Sequence, residues 1–351
     1  MESSAKYASP TKPLGLRRAK MWAGKLSVGL ALLVTVWAIA ALYYDVRILW
    51  LSIALATVYS IAVAIILWRF TASGKALLLW VVSLVCVIGW WLTLTPSNDR
   101  QWQPDVARLP WAEVAGDHVI LHNVRNFAYQ TETDYTEHWE TRSLNLSELA
   151  GVDVFVTHWG APLIAHVIVS FEFQNSPGPA TYVAMSIEAR KTVGQDYSAI
   201  GGLFRQYELI YLAADERDVV RLRTNYRMGE TVRIYHTRLN PDDSRRLFLQ
   251  YLQWIEQQRN HPQWYNAATA NCSSSLTSYL SSHNIGGVHW WDPRIILNGM
   301  AEKLLYQRGD LATGGLTFEA LEQRAVINEK ARGLDQDANF SLQIRDGQPG
   351  F

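Results

Sequence analysis

Three long apolar runs open the hydropathy pattern: LSVGLALLVTVWAIAALYY (26–44), ILWLSIALATVYSIAVAIILW (48–68) and ALLLWVVSLVCVIGWWLTL (76–94). Each is close to the ~20 uncharged residues that a helix needs to cross about 30 Å of hydrocarbon. One such run would fit a signal peptide or a buried helix. Three in succession predict three membrane spans.

Beyond residue 96 the pattern changes to short alternating segments. PSNDRQWQPD (96–105) is polar and carries two prolines, so 96–117 reads as a linker. HVILHNVRNFAYQ (118–130), VDVFVTHWG (152–160), IAHVIVSFEFQ (164–174), ATYVAMSIEARK (180–191), FRQYELIYLA and TVRIYHTRL all read as strands. NSPGPA supplies a turn between the third and fourth, which makes them a hairpin or meander. NPDDSRRLFLQYLQWIEQQRN (240–260) opens with Pro and acidic residues and spaces its leucines helically. CSSSLTSYLSS and PRIILNGMAEKLLYQRG (293–309) predict further helices, and residues 331–351 read as a polar, disordered tail. Strands first and helices after give an α+β domain with an antiparallel sheet, taken as residues 118–330.

Composition adds an orientation. Net charge is zero, so no basic field points to nucleic acid. The cations, however, are unevenly placed. Lys6, Lys12, Arg17, Arg18, Lys20 and Lys25 precede the first run, making 1–25 a basic N-terminus, and Arg69 and Lys75 fill the second loop. The first loop offers only Arg47. The positive-inside rule then places the N-terminus in the cytoplasm and exports everything after the third span. The 15 tryptophans suit membrane contact and large apolar pockets.

Of two cysteines, Cys86 lies among Val and Ile in the third run and reads as inert packing. Cys272 is the only thiol of the exported part. An unpaired exported cysteine is either buried filler or a reactive group, and with no ligand cluster beside it a metal site is not indicated. Leu276, Tyr279 and Leu280 follow Cys272 at helical spacing, so the thiol shares their packed face. Asn271 or Thr269 as N-cap makes it a first-turn residue. Free N–H groups there favour the thiolate and can receive an oxyanion. Position alone leaves open whether the thiol reacts or fills a helix–sheet contact.

A catalytic thiol needs a base. His166 opens a strand whose alternation puts His166, Ile168, Ser170 and Glu172 on one face. Ser186, Glu188 and Arg190 form a polar set on the next strand. Glu188 is the candidate to orient the imidazole, though Glu188 and Arg190 would also make a surface pair. His158 is the rival base. His118, His122, His138, His236 and His261 have no comparable context, and DERDVVRLRTNYR (215–227) reads as a salt-bridged surface.

Several blocks in order, HWGAPLIAHVIVSFEF, VAMSIEARK, YSAIGGLFRQYELIYLAADERDVVRLRTNYR, PQWYNAATANCSSSL and DPRIILNG, resemble the Lnb-type lipoprotein N-acyltransferases over most of residues 118–310. The resemblance implies a permuted papain-like (NlpC-type) fold, with the His strand before the Cys helix. It also implies acyl transfer, without cofactor, from a phospholipid through a Cys thioester to diacylated lipoproteins at the outer face of the inner membrane. Carried over by position, Cys272 is the nucleophile and His166 the base, with Glu188 inferred as third member. Asn271 and Tyr265 fall in the motif and shape the pocket. From the residues themselves, small Ser273 leaves room for a substrate carbonyl, and Trp290 and Trp291, in a glycine-flanked loop, either pack in the core or meet lipid or cover an acyl chain. A thiol peptidase or amidase on cell-wall peptides, and a membrane-tethered binding module, are the competing expectations.

Overall fold

The computed structural model describes residues 14–69, 74–160, 165–175, 177–269 and 298–351. The chain divides into two units, residues 1–95 and 96–351.

The first unit contains helices α1 (Leu14–Asp45), α2 (Leu49–Arg69) and α3 (Gly74–Thr93). Each includes a stretch long and apolar enough to cross a membrane. Their contact surface is small-to-medium apolar, with Ala38, Leu42, Ala56, Tyr59, Val63 and Val87 buried together. Two tryptophans tie α3 to α1: Trp80 Nε1–H donates to Thr35 Oγ1 at 2.9 Å and Trp91 Nε1–H to Asp45 Oδ2 at 2.8 Å. Small residues let backbones approach, and such interhelical hydrogen bonds add grip where apolar burial gives none against lipid tails.

The second unit is α+β. Its main sheet runs β1 (Trp111–Ala115), β2 (His118–Arg125), β9 (Glu208–Ala214), β8 (Thr181–Arg190), β7 (Ala165–Phe173), β6 (Leu149–His158), β10 (Thr231–His236), with β5 (Trp139–Asn145) also on β2. Two short strands, β3 (Ala128–Tyr129) and β4 (Tyr135–Thr136), pair apart. The expected antiparallel sheet is in fact mixed, because β2 meets β9 in parallel at Arg125↔Ala214. The predicted hairpin is present: β7 and β8 pair antiparallel, Ile168 opposite Ser186.

Both faces of the sheet are covered. On one, Val152, Val154, Val156, Val167, Val169, Phe171 and Phe173 bury against α5 (Pro241–Asn260) through Leu247, Phe248, Tyr251, Leu252 and Ile255. Phe248 lies 5.0 and 5.2 Å from the Phe171 and Phe173 rings, centroid to centroid. Full burial of a side chain of this kind stabilises by about 1.5–3 kcal/mol. Helix α5 begins where its sequence says, since the Asn240 side chain accepts from Asp243 N–H and Pro241 sits where a missing N–H costs nothing. On the other face Phe155, Ile168, Ala184, Leu212 and Ala214 pack under Val219 and Val220 of α4 (Glu216–Arg221). Ile327, Ala331, Phe340 and Ile344 from the C-terminal helices complete that layer.

Three expectations need correction here. Residues 96–117 are not a free linker: Trp111–Ala115 is an edge strand, and Arg190 is buried against the carbonyls of Val106 and Ala107. Residues 331–351 are not a loose tail, because Phe340 and Ile344 are fully buried and Arg345 nearly so. Nor is 215–227 a surface. Glu216, Asp218 and Thr224 are fully buried, and Asp215, Arg221 and Arg223 nearly so. Asp215, Glu216 and Asp218 pair with Arg142, Arg345 and Arg125, brought from far along the chain, which no local pattern reveals.

Candidate active site

β7 starts with His166, and β8 places Ser186 and Glu188 on the same face as His166 through the register Ile168↔Ser186. Strand alternation therefore does the positioning. His166 Nε2 lies 2.7 Å from Ser186 Oγ, and the Ser186 hydroxyl donates to Glu188 Oε1 at 2.9 Å. Glu188 Oε1 is also 3.4 Å from His166 Nε2 directly. His166 is 8% exposed, while a quarter of the Glu188 side chain reaches solvent.

Burial opposes ionisation of Glu188, but His166, and after it Arg223, outweigh that and hold the carboxyl well below the usual range. As an anion, Glu188 can only accept. The serine hydroxyl is then committed to it, and serine oxygen accepts from Nε2–H. This order of donors selects the neutral tautomer whose basic nitrogen is Nδ1.

Arg223 was not expected here. It lies in the single π-helical turn Leu222–Tyr226 that continues α4, a distortion frequent at functional sites. Its Nη2 is 3.7 Å from Glu188 and its Nη1 3.1 Å from Glu230. The hint in sequence is that charges in DVVRLR alternate with Val219, Val220 and Leu222, which a solvated face would not carry. Thr157, opposite His166 on β6, is fully buried and its hydroxyl has no hydrogen-bond partner among the described residues.

The rival base points the other way. His158 follows Thr157 and so projects from the opposite face of the sheet. Its Nδ1 is 2.9 Å from Arg233 Nη1, and its Nε2 is 3.4 Å from the Gly299 carbonyl and 3.8 Å from Glu302. Burial and then Arg233 push its pKa down, so it is neutral at pH 7. It lines a cleft of about 570 Å³ with Arg233, Glu302, Lys303 and Phe318. His236, expected to lack context, pairs with Asp153 at 2.7 Å in a charge cluster completed by Arg345 and Glu216.

Tyr265 falls at the same end of the sheet as His166, but its ring joins the α5-side core with Tyr207 and meets the half-exposed Tyr197 edge-on. Cys272, Asn271, Ser273, Trp290 and Trp291, together with the helix expected from Cys272 onward, lie outside the described residues. So do residues 293–297 of the predicted 293–309 helix, whose described part is helical at Ala301–Arg308.

Fold and site thus define a class: an α+β domain with a carboxylate-held histidine at a strand end, joined to three helices fit for a membrane. Residues 135–297 match the family model of the Lnb N-terminal periplasmic domain. That match supports the Lnb-type family for this stretch, as the order of its sequence blocks suggested. The matched stretch takes in His166, Ser186, Glu188, Arg223 and Cys272. The match to a periplasmic-domain family and three helices long and apolar enough to cross a membrane fit an inner-membrane protein. No curated protein and no solved structure matches the chain.

Proposed function

We propose that this protein is a lipoprotein N-acyltransferase with Cys272 as nucleophile and His166 as base, in a permuted papain-like order of His strand before Cys helix. The observation that carries the reading is the His166–Ser186–Glu188 relay inside an Lnb-family domain. The relay engages Nε2, so Nδ1 takes the proton of the Cys272 thiol. The thiolate attacks an ester carbonyl of a phospholipid, and the tetrahedral oxyanion collapses to a thioester. The lysophospholipid oxygen leaves and receives the proton from His166. In the second half the α-amine of a diacylglyceryl-cysteine lipoprotein attacks the thioester and passes its proton to His166. The thiolate then departs, leaving an amide.

Glu188 stabilises the imidazolium formed in each half, and Arg223 keeps Glu188 ionised. Arg69 and Lys75 between the second and third spans, with the basic residues before the first, orient the N-terminus to the cytoplasm and the domain to the periplasm, where both substrates are embedded in the membrane.

The test is to incubate the purified full chain with phospholipid, quench it in acid and look by mass spectrometry for one acyl group on Cys272. The adduct should form with release of lysophospholipid and be absent in Cys272→Ala. No adduct with any diacyl lipid would overturn the reading and favour an amidase acting on peptides.

A further inference from the structure

β8 and β9 are adjacent strands, Arg190 opposite Glu208, yet residues 191–207 connect them where a hairpin needs about two to five. The connection is exposed and apolar. Val193 is 65% exposed, Tyr197 46%, Ile200 59% and Leu203 48%. Elsewhere in residues 96–351 the exposed large apolar side chains of the described residues are scattered, such as Val114, Met228 and Leu342. Isolated exposed apolars are ordinary, whereas a cluster marks a contact surface. Asp196 is the only charge between Lys191 and Arg205, so the apolar tip is flanked by two cations.

The chain also limits how far this loop can lie from a bilayer. Helix α3 ends at Thr93, and four residues later Ser97 N–H donates to Glu208 Oε1 at 3.4 Å. The Asn98 amide accepts from Arg190 at 3.2 Å and donates to the Arg259 carbonyl at 3.0 Å. Residues 101–103 run along the start of the loop. Trp102 bridges Thr192, Val193 N–H donates to the Gln101 carbonyl at 2.8 Å, and Gln103 N–H donates to the Lys191 carbonyl at 2.9 Å. Thr93 and Ser97 are four residues apart, a covalent reach of at most ~14 Å, and Ser97 itself is held at the base of the loop.

We propose that the 191–207 loop docks the domain onto the lipid surface, with Val193, Tyr197, Ile200 and Leu203 entering the headgroup–acyl boundary and Lys191 and Arg205 meeting lipid phosphates. The loop is fastened to the segment that leads to the thiol. Ala267 N–H donates to the Gly202 carbonyl at 2.7 Å, and the Asn266 amide donates to the Leu203 carbonyl at 3.2 Å. Gly202 is needed for that approach, since a Cβ there would sit 3.2 Å from Ala267 Cβ and 3.3 Å from the Tyr265 ring. His166 and Glu188 lie at this same end of the sheet. The docking thus delivers the acyl donor to the site, a role that rests on the proposed function, although the docking itself is measured without activity.

The full chain carrying Cys86→Ser and Cys272→Ser is given one new cysteine, Ile200→Cys, Leu203→Cys or Leu342→Cys, and labelled with an environment-sensitive fluorophore. It is then reconstituted in phosphatidylethanolamine–phosphatidylglycerol vesicles with a nitroxide near the top of the acyl chain. Leu342 is 61% exposed but borders Thr181 and Tyr182 at the other end of β8. Labels at 200 and 203 should be quenched at least about threefold more than the label at 342. Equal quenching at all three positions would overturn the proposal. Quenching without any acyl adduct on wild-type Cys272 would leave the docking standing and remove the acyltransferase reading.

Discussion

The two faces of the central sheet are made by the same alternating strands and stabilised in different ways. Facing α5, β6 and β7 offer valines and phenylalanines to leucines and aromatics. On the other face the apolar patch is interrupted by charges. Arg125 donates from Nε and Nη2 to the two oxygens of Asp218 at 2.9 and 2.7 Å, both groups buried. Arg345 donates to Asp153 at 2.7 Å and to Glu216 at 2.6 and 2.8 Å. The His166–Ser186–Glu188 relay sits on this face. Apolar packing tolerates exchange at constant volume, whereas a buried ion pair demands both partners. The face carrying the candidate site is therefore the one whose parts depend on each other.

The largest expected difference between the faces is catalytic. His166→Ala should lower the rate of Cys272 acylation by roughly 10²–10⁴-fold, the range of a lost general base. His158→Ala, on the α5 side, should change it less than about tenfold. Rapid-quench mass spectrometry of the thioester reads both, and the reverse ranking would move the base to the other face. Next is stability. Asp218→Ala strands Arg125 and should cost about 3–5 kcal/mol in denaturant unfolding. Replacing both, Arg125→Met with Asp218→Leu, should cost less than the single change. If instead the double variant is the worse, the pair is a net stabiliser and the contrast between the faces weakens. On the α5 face Leu252→Ala should cost about 2–5 kcal/mol but Leu252→Met less than about 1.5.

The pH dependence should differ in sign. Burial, against the opposing pull of Arg233, raises Glu302 on the α5 side to about 7. A raised carboxyl stabilises the fold below the unfolded value of about 4.3, and that contribution is lost as pH rises towards 7. Glu302→Gln should remove this fall from the stability–pH curve. Glu188 is depressed, so its contribution is present above about pH 4.3 and lost as pH falls below it. Glu188→Gln should flatten only the acid limb. The smallest effect is expected at the exposed pair Arg246–Asp243 on α5, where Arg246→Ala should shift stability by less than about 0.5 kcal/mol.

Legibility in sequence follows the range of the interactions. The three apolar runs, the β7–β8 hairpin and α5 with its opening Pro and acidic residues were readable, because each is set by periodicity and by residues within a turn of one another. The His166 and Glu188 pairing was readable for the same reason, being a cross-strand contact inside one hairpin. Trp111–Ala115 was not, since WAEVA is too short and mixed to declare itself until β2 lies beside it. Arg223 was missed because its partner Glu188 belongs to another element.

Hydropathy and alternation by themselves determined that this chain has a membrane-capable N-terminal unit, an α+β domain, and a histidine and carboxylate on neighbouring strands. Only the tertiary structure decided which charges are buried, that residues 331–351 close the core, and that His158 and His166 project from opposite faces. The physical reason is that a charge carries no local signal of its own burial. Whether it is solvated or enclosed depends on a partner that the fold brings in, as Arg345 is brought 129 residues along the chain to Glu216.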